Sequence, residues 1–98
     1  MEIINHEVCG LDVHQATIVA CVLIDVKGKK RPTKETRTFS AMHVDLIALR
    51  DWLTERGVTS VVMEGTGVYW RPVYEVLEDV FDVWVVNARH VKKAPGRK

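Results

Sequence analysis

The N-terminal third of the chain is written in short apolar runs. Val8–Val13 holds Leu11 and Val13 around a single carboxylate, Asp12, and Thr17–Val26 then runs almost wholly apolar. Such runs predict two strands joined by a tight reversal, the second covered on both sides. Val26–Thr33 reads as a turn, with Gly28, Pro32 and the basic stretch Lys27–Arg31. Glu35–Ser40 sets Phe39 among polar residues, as a half-exposed edge strand does. The period then becomes helical: Leu46, Leu49, Trp52 and Leu53 share a face, with Ser40 expected as N-cap and Gly57 as the stop. Ser60–Met63 is a further short strand, ending on Glu64. After Gly65-Thr66-Gly67, a second helix is expected over Trp70–Val80, with Pro72 in its first turn and Val73, Val76, Leu77 and Val80 as its buried stripe. Val83–Val86 is the last apolar strand.

Strands joined by short reversals run antiparallel, whereas strands reached through a helix run parallel to the first. The order β-β-β-α-β-α-β therefore predicts an α/β, ribonuclease H-like architecture. It is a mixed sheet in the order 3-2-1-4-5 with helices on its faces, over residues 1–88, and 89–98 form a basic tail. In that order strands one and four are neighbours. Asp12 and Glu64 then meet at the C-terminal ends of adjacent strands, where open α/β sheets place their sites.

Two acids so placed repel unless a cation or a proton lies between them. Their hard oxygens favour Mg²⁺ or Mn²⁺, and two such ions about 4 Å apart serve phosphodiester cleavage. The plainer alternative is a turn-capping Asp12 and a surface Glu64. His14, just beyond the first strand, is a ligand, a proton carrier or a solvated turn residue. Gly65-Thr66-Gly67 is a phosphate-contacting turn or simply a flexible one. Tyr69, Trp70 and Tyr74 are base-stacking or core residues, and Arg71 is a solvated first-turn side chain.

Composition narrows the class. A 98-residue chain that is 47% hydrophobic and 28% charged suits one small folded domain. The net charge of +1 conceals an asymmetry: the last ten residues hold five Lys or Arg and no acid, leaving about −4 for the rest. Arg89, Lys92, Lys93, Arg97 and Lys98, with the Lys27–Arg31 turn, are thus candidates for a nucleic-acid backbone. Cys9 and Cys21 read as reduced thiols of a cytoplasmic protein, a cross-strand disulfide being the alternative if the hairpin sets them opposite each other. No apolar run approaches the ~20 residues that span a bilayer, so no membrane association is expected.

Three segments carry a resemblance. Gly10–His14 (GLDVH), residues 62–74 (VMEGTGVYWRPVY) and residues 86–98 (VNARHVKKAPGRK) closely resemble the N-terminal catalytic domain of the DEDD-type insertion-sequence transposases. These are bacterial enzymes with a RuvC-like domain, also seen as bridge-RNA-guided recombinases. The resemblance covers nearly the whole chain. It implies a four-acid divalent-metal site on a ribonuclease H-like fold, with Asp12 matching the first acid and Glu64 the second. It further implies DNA as substrate and a structured guide RNA as partner, to which Thr66 of the Gly65–Gly67 turn and the tail bases are the candidate contacts. The last two acids of such proteins come from a segment that would follow Lys98, and no acid follows Asp82 here. The chain is therefore expected to be an N-terminal fragment, catalytically silent alone, holding metal weakly and pairing with a second copy over uncovered apolar surface. The competing expectation is a non-catalytic nucleic-acid-binding or dimerisation module on the same fold. A half-domain of the actin-like sugar kinases fits poorly, because His14-Gln15 replaces the small residues such a phosphate-binding reversal needs.

Overall fold

A computed structural model of the chain describes residues 8–24, 33–65, 67–87 and 91–93. Its elements follow the expected order with one addition. They are β1 (Val8–Val13), β2 (Thr17–Ile24), β3 (Thr33–Ser40), α1 (His43–Glu55), β4 (Ser60–Gly65), α2 (Trp70–Leu77), β5 (Asp82–Asn87) and β6 (Val91–Lys93). The sheet has six strands in the order β3-β2-β1-β4-β5-β6. β2 is antiparallel to β1 and β3, β4 is parallel to β1 and β5, and β6 returns antiparallel to β5. The mixed 3-2-1-4-5 core is thus as expected. The addition is β6, which draws Val91–Lys93 out of the expected tail and pairs Lys92 with Val85 and Lys93 with Trp84. Three residues gave too short a pattern to read as a strand.

Alternation decides which face is core. Cys9, Leu11 and Val13 of β1, Ile18, Ala20 and Val22 of β2, Val61 and Met63 of β4, and Val83 of β5 are all buried. They pack against Leu46, Leu49, Trp52 and Leu53 of α1 and against Val73 and Leu77 of α2. The two helices also touch each other, so both lie on this one face. The expectation that β2 is covered on both sides is corrected here, since the described helices cover only one. The reason lies in the strand order. β3, β4 and β5 are mutually parallel and successive connections move the same way across the sheet. Right-handed crossovers that advance in one direction put their helices on one side. The opposite face carries half-buried Val19, Cys21, Leu23, Trp84 and Val86 with exposed Val8 and Val62, and no described helix covers it.

The helix ends show local chemistry. Past Glu55, Gly57 adopts φ 77° and donates its N–H to Thr54 O, while Val58 donates to Leu53 O, each at 3.1 Å. This is a Schellman closure, and buried Val58 and Leu53 supply its apolar contact. At the other end, the residue before the helix is Met42, not Ser40, and it makes no side-chain cap. Ser40 ends β3 instead. Its hydroxyl accepts from the Met42 N–H at 3.1 Å and donates to the Asp45 carboxylate at 2.5 Å, tying the strand end to the first turn. Pro72 falls in the first turn of α2 as expected. Val80, expected in the buried stripe, lies past the helix end and is exposed, and Phe81 is buried after it.

A fork joins β3 to the end of α1. Arg56 donates from Nε and Nη2 to the two carboxylate oxygens of Glu35, at 2.8 and 2.9 Å, and its guanidinium stacks 4.6 Å from the Trp52 ring centre. Trp52 in turn meets Phe39 of β3, with 5.7 Å between ring centres. Among the described residues no helix is long and apolar enough to cross a membrane.

Candidate metal centre

The site starts from a register. On the parallel pair β1–β4, Asp12 is the direct partner of Glu64. The residues on either side of Asp12, Leu11 and Val13, are buried against the helices. Period-two alternation therefore turns Asp12 to the open face, and Met63 between Val62 and Glu64 does the same on β4. Neighbouring strands lie about 4.8 Å apart, so the two carboxylates leave the sheet side by side at its C-terminal edge. Although Asp12 lies in an apolar run, it carries no burial cost, because its side chain is 59% exposed.

The close approach at this edge depends on a missing side chain. A Cβ at Gly65 would meet the Val13 carbonyl oxygen at 2.8 Å, so glycine is what lets β4 end in register beside β1. Gly10, two positions before Asp12 on the same face, is different. A Cβ there would meet nothing within 4 Å. With Gly10 as floor, Val19, Cys21, Val62 and Val86 enclose an open depression of about 320 Å³ whose rim carries Asp12 and Glu64. Apart from the two acids, none of these residues was read in the sequence as lining a site. Counting back by twos from Asp12 and Glu64 would have found Gly10 and Val62.

His14 continues the line of β1. Its Nε2 stands 3.1 Å from Asp12 Oδ2, with the imidazole 56% exposed. Its N–H donates to the Thr17 carbonyl at 2.8 Å, which closes the hairpin. His14 is thus neither buried nor merely solvated.

Other expected participants fall elsewhere. Trp70 and Tyr74 meet edge to face at 5.8 Å and pack half-buried against the core, so their role is structural, while Tyr69 stands exposed. The Arg71 guanidinium lies 5.1 Å from the Trp70 ring centre, over its face. Thr66, Arg89, Arg97, Lys98 and the Lys27–Arg31 turn lie outside the described residues, and Lys92 and Lys93 are placed by their β6 backbone. Gly67 takes φ 64°, which supports the turn reading of that glycine. Cys9 and Cys21 are both free. Cys9 pairs with Val22 and Cys21 with Gly10, so the thiols leave the sheet on opposite faces and the cross-strand disulfide is ruled out.

As a donor set, two adjacent carboxylates facing solvent suit a hard divalent cation, which accepts one or two protein carboxylates and fills its shell with water and phosphate oxygens. Among the described residues no group of three or more His, Cys, Asp or Glu side chains forms a metal cage. The pair can hold and orient such an ion but cannot enclose it.

Comparison with known proteins adds a family and a fold. Residues 9–98 match the model of the DEDD transposases of the IS110 type, described as a transposase. In sequence, the chain matches no curated protein. In structure, it is similar to RuvC of Thermus thermophilus with a TM-score of 0.52 and 15% identity, over 82% of this chain and 63% of that one. The chain thus spans less than two thirds of that neighbour.

Proposed function

The chain belongs to the IS110-type DEDD transposase family, and from that premise we propose that Asp12 and Glu64 are the first two of its four acids, serving DNA strand cleavage and exchange. The observation that carries this reading is the register, which brings two acids 52 residues apart in sequence to neighbouring positions on the open C-terminal edge of the sheet. Mg²⁺ or Mn²⁺, when bound, supplies positive charge to the attacking and leaving oxygens of a phosphodiester. The chain's own part is to present the two carboxylates at one height, with the depression beside them. Arg89, Lys92, Lys93, Arg97 and Lys98 follow β5 and neutralise the DNA or guide-RNA backbone, and Thr66 contacts phosphate beside Glu64. Two acids make half of the set, so the 98 residues alone hold metal weakly and do not cut DNA. The protein works in the cytoplasm.

The test is an excision assay in a full-length protein carrying this domain. Asp12→Asn and Glu64→Gln each abolish excision while DNA binding persists. Excision that survives Asp12→Asn supports a second reading instead, a nucleic-acid-binding or homodimerising module. That reading draws on the apolar face that no described helix covers, with its exposed Val8 and Val62.

A further inference from the structure

The contact between His14 and Asp12 has a chemical direction. His14 Nε2 approaches Asp12 Oδ2 to 3.1 Å, and because a carboxylate oxygen only accepts, that approach is favourable when Nε2 carries a proton. In that form Nε2–H faces the carboxylate, and the lone pair of a neutral ring sits on Nδ1. His14 is held for this task by the hairpin, since its backbone N–H bond to Thr17 fixes where the ring leaves the chain. A carboxylate at an open strand end otherwise exchanges rotamers freely. Anchoring Oδ2 selects one rotamer and leaves Oδ1 for another ligand beside Glu64.

We infer that His14 is a positioning residue for Asp12: its Nε2–H orients the carboxylate toward a cation shared with Glu64, without itself ligating through that nitrogen. This rests on the metal reading of the two acids. Partners of this kind fix ligand orientation at metal sites, and their loss weakens binding at least on the order of tenfold.

The experiment is a Mn²⁺ titration of the 98-residue chain, followed by paramagnetic broadening of amide signals. It is paired with long-range ¹H–¹⁵N correlation of the His14 ring without metal, at a pH above the usual imidazole range. Wild type should broaden at the ends of β1 and β4, and His14→Ala should need on the order of ten times more Mn²⁺ for the same effect. His14→Gln, which keeps an N–H donor of similar reach, should recover most of that loss. The ring should show the Nε2-protonated tautomer in wild type and a mixture in Asp12→Asn. Unchanged or tighter Mn²⁺ binding in His14→Ala overturns the inference, as does an Nδ1-protonated ring in wild type. Should His14→Ala fail to fold, His14→Gln and the tautomer decide it. Mn²⁺ broadening that persists in Asp12→Asn, or is absent from wild type, overturns the metal reading and the inference with it.

Discussion

Cys9 and Cys21 show how one step along a strand changes a side chain's chemistry. Burial pushes the Cys9 thiol from about 9.0 up to about 12, against a smaller opposing pull from a backbone hydrogen bond with Cys21. Below the ordinary thiol range both folded and unfolded chains keep this proton. Above it the unfolded chain loses the proton first, so stability falls from about pH 9 toward pH 12, by up to about 1.4 kcal/mol per pH unit. Urea titrations across that range should show the decline in wild type and a flatter curve in Cys9→Ala. A native thiol titration at neutral pH should report one reactive group, Cys21, and a denatured one two. The glycines divide in the same way. Gly65→Ala drives a Cβ into the Val13 carbonyl and should cost about 1–3 kcal/mol. Gly10→Ala meets nothing and should stabilise the domain by about 0.5–1 kcal/mol, because a strand-interior glycine loses more backbone entropy on folding. Chemical denaturation of the two variants checks both signs. The sequence showed two glycines in strands, but only the sheet says which of them has a neighbour.

At the level of elements, α1 is held at both of its faces by different physics. Its apolar stripe is buried, and Leu49 is wholly inaccessible, so Leu49→Ala should cost about 2–5 kcal/mol by urea denaturation. Its C-terminal end is held by the Glu35–Arg56 fork. The hydrogen bond from Arg56 is the main cause holding the Glu35 carboxyl below its ordinary value of 4.5, with burial opposing it. A depressed acid contributes stability above its unfolded value and loses it as pH falls through the folded one. Glu35→Gln should therefore leave a shallower loss of stability below about pH 4.5, read as a smaller drop in Tm on acidification. The apolar stripe of α1 was legible from its spacing alone. The fork was not, because its partners lie 21 residues apart in sequence and only the antiparallel return of β3 brings them together. Ser40 was misread for a related reason. It has the chemistry of a cap, but β3 runs through it and the helix starts after Met42.

At the scale of the whole sheet, the described helices cover one side, and Asp12 and Glu64 stand on the other. If the bases after β5 meet phosphate, each contact should steepen the fall of log K with log salt by about 0.9 on duplex DNA. Lys92→Ala with Lys93→Ala should then lower the slope by about two, measured by fluorescence anisotropy between 50 and 200 mM salt. The strand order 3-2-1-4-5 and the neighbourhood of Asp12 and Glu64 were both legible in the chain. Period-two and helical spacings name the elements, short reversals force antiparallel pairs, and helical crossovers force parallel ones. The Gly10–His14 and 62–74 segments likewise identified the family without any coordinates. What only the tertiary structure decided depends on which face each residue meets. It settled that both helices share one side, that Cys9 and Cys21 point apart, that β6 extends the edge, and that His14 leans on Asp12. Local pattern determines what an element is. Register and handedness, which join residues far apart in sequence, decide what it faces.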